Sequence, residues 1–282
     1  MAVALEDELG DIIGKARTGR SRSPEELACA GGVTVEDVHR IESCRWTPDD
    51  AVIVKMASAL DLHGPSLVAI ARGRWSPRPV PADPVVDVVC LDVFMGMYPV
   101  KCYLIRCKAT GATAVVDTGG NPEAIIAKAQ QLGCKPALIL LTHCHPDHAD
   151  GLHTLDREFG CPTLTDRNEP RPSGSRDLRL IGDGDVIELG RLRIRGLATP
   201  GHTPGGMAFH VGDAVIGGDA VFAGSMGRAN ISFPTLFQSI TKKILTLSDA
   251  TAIHPGHGPA TTVGEEKAHN PFFAGIFSDP AQ

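Results

Sequence analysis

The stretch Thr142-His143-Cys144-His145-Pro146-Asp147-His148 puts three imidazoles and a carboxylate within six residues. Such a cluster needs a rigid support, and Ala137–Leu141 before it is an apolar run of the length of one buried strand, short for a helix. The cluster is therefore read as a loop at the end of a core strand, which holds ligands better than a free loop does. Imidazole and carboxylate together are the ligand set of zinc and of iron or manganese.

With 282 residues the chain has room for one large domain or two modest ones. Its 43% hydrophobic and 21% charged residues describe an ordinary soluble protein, and a net charge of −6 argues against a general polyanion binder. Apolar runs stay short of the roughly 20 residues of a membrane span, so no membrane partner is expected. Met1–Glu8 turns acidic at once and lacks the basic start of a signal peptide. The eight cysteines include no Cys-x-x-Cys pair and read as reduced, which predicts a cytoplasmic protein.

Residues 1–75 read as short helices. Leu5, Leu9, Ile12, Ile13 and Ala16 share one helical face; Ser23-Pro24 and Thr34 open further helices, with Gly31-Gly32 as a stop between them. Thr47-Pro48 opens another and Pro65 the last. Residues 76–84 are a proline-rich linker, to which Trp75 is a candidate anchor. From 85 to 282 the texture changes to strands with turn punctuation. A helix is expected from about Asp150 to Phe159 and another over Pro234–Leu247. Met95–Val100, Thr165–Asp177 and Ala223–Pro234 are expected as loops around a substrate.

The cluster resembles the His-x-His-x-Asp-His signature of the metallo-β-lactamase fold. Pro200-Gly201-His202-Thr203, Gly218-Asp219 and Pro255-Gly256-His257-Gly258 resemble the family's later ligand motifs, in order, over about 200 residues. The resemblance implies an α/β fold, an αββα sandwich with metals at one edge, preceded here by the small all-helical domain. It also implies that His143, His145 and His202 bind one ion, that Asp147, His148 and His257 bind a second, and that Asp219 bridges them. The ions would be divalent, with zinc the default and iron or manganese fitting the same side chains. A metal-bridging hydroxide would be the nucleophile, with Asp147 orienting it as well as binding metal. Asp117, in the family's Asp-x-Gly turn, would either hold a ligand histidine in its tautomer or simply stabilise the turn.

The segment Pro255–Phe273 resembles the end of short type II glyoxalases, the hydroxyacylglutathione hydrolases, and Gly227-Arg228 resembles part of a turn of theirs, with Ala229-Asn230 departing from it. That points to a small thioester or ester as substrate. The 25 residues after His257 leave no counterpart for the helical glutathione-binding domain of the full-length enzymes, and Tyr98 and Tyr103 are both early, so glutathione is not expected to be the thiol. A mononuclear-iron persulfide dioxygenase, a lactonase and a β-lactamase are alternatives on the same fold.

Roughly residues 5–72 resemble a Cro/repressor-type helix-turn-helix, whose helix near Thr34–Ser43 would enter the major groove. That helix sets Glu36, Asp37 and Glu42 against Arg40, and residues 1–80 hold 10 Lys and Arg against 12 Asp and Glu. A DNA reader needs several cationic contacts. Nucleic acid is thus not the expected partner. The module is assigned to homodimerisation or to packing beside the active site, with ligand sensing coupled to DNA binding as the non-enzymatic alternative.

Overall fold

The computed structural model describes residues 4–277. Five helices come first: α1 (Leu9–Gly19), α2 (Pro24–Gly31), α3 (Val35–Glu42), α4 (Asp50–Ala59) and α5 (Gly64–Ala71). Local chemistry sets their ends. Ser23 Oγ accepts from Glu26 N at 3.2 Å while Glu26 Oε2 accepts from Ser23 N at 2.8 Å, and Pro24 fits the first turn of α2. Gly32 closes that helix at φ 71°, a left-handed position that favours glycine.

The first sheet is ordered β1 (Val86–Met95), β2 (Tyr98–Cys107), β3 (Thr113–Val116), β4 (Leu138–Leu140), β5 (Thr163–Asp166) and β6 (Leu178–Ile181). From β3 to β6 neighbouring strands run parallel. This requires crossovers, and α6 (Pro122–Gln131), then α7 (Pro146–Ala149) and α8 (Leu152–Phe159), supply two of them. The second sheet is ordered β14-β13-β10-β9-β8-β7. It comprises β7 (Val186–Leu189), β8 (Leu192–Ala198), β9 (Met207–Val211), β10 (Ala214–Gly218), β13 (Ala252–Pro255) and β14 (Thr261–Thr262). Between β10 and β13 the chain forms a small hairpin, β11 (Val221–Phe222) and β12 (Ser225–Met226), then α9 (Phe233–Ser239). After β14 come α10 (Val263–His269) and α11 (Ala274–Phe277).

The αββα sandwich expected from the sequence is present, with the helices before it. Tyr103, Ile105, Ile194, Phe209 and Ile216 fill the space between the sheets. Leu104, Val115, Ile125 and Leu155 join the outer face of the first sheet to α6 and α8. The third apolar cluster runs without a break from Ile12, Met56 and Leu67 of the N-terminal helices to Val215, Ile240, Ile253 and Phe273. The helical module thus shares a core with the second half of the sandwich. Gly19 lies where a Cβ would fall 2.3 Å from the Phe233 ring, and His63 N donates to Pro271 O at 2.7 Å. Trp75 anchors the linker to the sandwich: its Nε1 donates to Glu265 Oε2 at 3.1 Å and its ring covers Gly224.

Two local expectations are corrected. Met95–Val100 is not a free loop but the end of an antiparallel hairpin of two ten-residue strands, closing at Met95↔Tyr98. Gly96, at φ 63°, makes the turn, and Pro99 is tolerated because β3 pairs only with Tyr103–Arg106 further along β2. The helix expected from about Asp150 to Phe159 is present as α8, and the single turn α7 precedes it; between them Gly151 N–H donates to Gly119 O at 2.7 Å. The helix over Pro234–Leu247 changes at Ile240–Ile244 to the wider π form. Among the described residues no helix is long and apolar enough to cross a membrane.

Candidate metal centre

The apolar strand β4 ends at Leu140, and the chain then turns into the cluster. His143 lies in the loop, 2% exposed. His145 is extended (φ −65°, ψ 150°) and stands as N-cap of α7, with Pro146 at the first helical position. One turn of helix then carries Asp147 and His148. His202 follows β8, Asp219 follows β10 and His257 follows β13. All seven side chains come to one edge of the sandwich.

Their donor atoms fall into three groups, each within 4.8 Å: His143, His145 and His202; His143, His148 and Asp219; Asp147, His148 and His257. His143 Nε2 and His202 Nε2 lie 3.1 and 3.0 Å from His145 Nδ1. Nitrogens around a tetrahedral zinc at 2.0–2.1 Å stand about 3.3 Å apart, so this spacing fits an ion. Asp219 Oδ2 is 3.5 Å from His202 Nε2 and 3.6 Å from His257 Nε2, between the two outer groups. Asp147 Oδ2 is 3.4 Å from His257 Nε2. His148 Nε2 and Asp219 Oδ1 are buried, 3.3 Å apart, and neither makes a hydrogen bond. Buried polar atoms are rarely left in that state, and a cation between them would satisfy both.

The rings are aimed from behind. His148 Nδ1 bonds Asp117 Oδ2 at 2.8 Å, His202 Nδ1 donates to Arg228 O at 2.7 Å and His257 Nδ1 donates to Pro99 O at 3.0 Å. Each of these rings therefore presents Nε2 to the centre. Asp117 also accepts from Thr142 N at 2.8 Å and Thr142 Oγ1 at 2.7 Å, which ties β3 to the cluster loop. It does so at φ 60°, a left-handed conformation that Asp and Asn tolerate better than most side chains. Of the two roles considered for Asp117, the geometry gives it the tautomer-holding one. Gly227 is needed because a Cβ there would lie 1.7 Å from Asp219 O.

The electrostatics are those of a site built for cations. Burial pushes the His143 ring well below the usual imidazole range, so it is neutral and ready to ligate. Burial also opposes charge on His148, but Asp219 and Asp117 overcome it and hold that ring well above its ordinary value. A cation bound at Nε2 would have to displace that proton. Burial alone would raise the Asp219 carboxyl, yet the His148 charge keeps it well below the ordinary range.

Glu169 went unread in the sequence. It is 6% exposed and accepts from Cys144 N at 2.9 Å and Gly205 N at 2.8 Å, bracing the cluster loop against the turn after His202. A lone Glu in a polar loop whose partners are backbone N–H groups leaves no pattern. Cys144 points to Thr165 Oγ1 at 3.7 Å, and burial pushes its thiol up to about 12, which makes it a packing group rather than a nucleophile. His153, His210, His254 and His269 join none of the three groups.

Asp117→Asn keeps the backbone conformation and the size but weakens the hold on His148. The expected result is a 10- to 100-fold loss of metal affinity, roughly the usual cost of removing such a partner. Competition with a chromophoric chelator would measure it; unchanged affinity would remove Asp117 from the site.

The sequence pattern of the Metallo-beta-lactamase superfamily matches residues 95–257, past the N-terminal helices. "Probable metallo-hydrolase YqgX" of Bacillus subtilis is 35% identical over 57% of this chain and 87% of its own length. "Hydroxyacylglutathione hydrolase GloC" of Haemophilus influenzae is 31% identical over 56% of this chain and 86% of its own. Among solved structures, TTHA1623 in a di-iron-bound form superposes with a TM-score of 0.56 at 30% identity, covering 65% of this chain and all of that one.

Proposed function

The chain belongs to the Metallo-beta-lactamase superfamily, and from that premise we propose that it hydrolyses a small thioester or ester at a pair of divalent ions. The carrying observation is the position of Asp219, whose Oδ2 lies within 3.6 Å of both His202 Nε2 and His257 Nε2 and so spans two ligand sets. A shared carboxylate with three imidazoles on one side and Asp147, His148 and His257 on the other favours two ions over one. It therefore favours a hydrolase over a mononuclear dioxygenase. Zinc suits the donors, and iron suits them as well. When bound, such a pair supplies a water ionised near neutral pH and a Lewis acid for the carbonyl.

The chain's own residues do the rest. Asp147 is half-buried at the mouth and can orient a water at the centre as well as ligate. Asp117, Arg228 O and Pro99 O fix three imidazoles so that no reorganisation accompanies reaction. The thioester preference draws support from GloC, named a hydroxyacylglutathione hydrolase, a hydroxyacylglutathione being a thioester, and from the resemblance of Pro255–Phe273 to short type II glyoxalases. The helical module is assigned to this catalytic unit and not to DNA.

The test is elemental analysis of fresh protein, then assay of the metal-replete chain on S-lactoylglutathione, acyl-CoA, homoserine lactone and nitrophenyl esters. The expected result is two ions per chain and at least one thioester turned over with kcat/KM above about 10⁴ M⁻¹s⁻¹. No turnover of any carbonyl ester by protein holding two ions would overturn the proposal.

A further inference from the structure

The helical module does more than cover a sheet; its leading segment reaches the metal edge. Glu6 lies over Gly258, the residue after His257. A Cβ built on Gly258 would fall 2.9 Å from Glu6 Cβ and 3.1 Å from Glu6 N, and Gly258 itself adopts φ 74°. Neighbouring bonds pin the segment there. Asp7, 7% exposed, accepts from Ser225 Oγ at 2.5 Å and pairs with Lys15. Lys15 Nζ also donates to Met226 O at 3.0 Å and sits 4.8 Å from the centre of the Phe222 ring. Phe222 in turn meets the His257 ring edge-on, 5.8 Å between centroids.

Charge at this wall is not balanced. Lys15 is neutralised by Asp7, whereas Glu6 is exposed and makes no hydrogen bond or ion pair with any described residue. Its carboxyl is near enough to feel His257 and Asp219: partial burial raises it and the His257 charge draws it back. A fixed negative charge beside one side of a reaction centre attracts cationic groups and repels anionic ones.

We propose that Glu6 is a specificity-determining residue, through which the N-terminal module gives the metal centre an anionic wall that favours substrates carrying an ammonium group over those carrying a carboxylate. What the centre does to such substrates rests on the hydrolase reading; which charge it prefers does not.

The test uses the full chain loaded with zinc, as wild type, Glu6→Gln and Glu6→Lys. Cysteamine, 2-mercaptoethanol and mercaptoacetate are titrated calorimetrically, since each brings a thiol to the ions with a positive, neutral or negative tail. Wild type is expected to bind cysteamine in preference to mercaptoacetate. Glu6→Gln should shrink that ratio by about fivefold, the size of a partly solvated ion pair, and Glu6→Lys should reverse it, with metal content and Tm unchanged. The kcat/KM ratio for thioesters with ammonium or carboxylate tails should move in step. An identical charge preference in all three proteins overturns the assignment. So does failure of every thiol to bind the loaded wild type, since the wall would then flank no accessible ion. If thiol binding follows the Glu6 charge but no ester is turned over, the hydrolase reading fails and Glu6 stands. If esters are turned over with a preference that ignores both substitutions, Glu6 fails and the hydrolase stands.

Discussion

Asp219→Asn is expected to leave a folded protein that holds about one ion per chain instead of two and has lost at least ~10³-fold in kcat/KM. The amide keeps the shape but removes the negative charge between His148, 3.3 Å from Oδ1, and His202 and His257, within 3.6 Å of Oδ2. Two cations a few ångströms apart repel strongly unless a carboxylate lies between them. Elemental analysis and kinetics on the same preparation read both effects, and near-UV circular dichroism checks the fold. His145→Ala should act in the same direction, because His145 Nδ1 is the atom that both His143 and His202 face. Full occupancy and undiminished rates in either variant would overturn the metal-centre reading as a whole.

Removal of residues 1–75 is expected to yield an insoluble or molten chain rather than a free catalytic domain. One apolar cluster joins Ile12, Ile13, Met56 and Leu67 to Val215, Ile240, Ile253 and Phe273. Stripping the helices returns their partners to water at roughly 1.5–3 kcal/mol per large side chain. Four such residues amount to roughly 6–12 kcal/mol, comparable to the whole margin of a typical domain. The deletion also exposes Phe233, now covered by Gly19 and Arg20, and cuts the hydrogen bond from His63 N to Pro271 O. Soluble yield, dye binding and the cooperativity of thermal unfolding are the measurements. A soluble fragment of residues 76–282 with a sharp transition would show that the two parts are energetically separate.

The sequence was most informative where chemistry is local. The helix starts at Ser23 and Thr34 could be read because a capping residue and its carboxylate partner sit three positions apart. The cluster at 143–148 was legible for a similar reason: four donors share one loop after one apolar strand. His202, Asp219 and His257 are single residues at strand ends, and it was the resemblance, not periodicity, that singled them out. Glu169 and the carbonyls of Arg228 and Pro99 escaped because their roles depend on partners 25 to 158 positions away. The packing of the helical module was hidden too. Ile70 and Trp75 face the sandwich, but a composition of apolar residues does not say whether a helix bundle keeps them for its own core.

The centre draws His143, His145, Asp147 and His148 from the end of the first sheet and His202, Asp219 and His257 from the second. Neither half of the sandwich is thus a complete chelator by itself. Cation capture by the full set of donors would double as a record of assembly, a rivet that closes only after the two faces have docked in register.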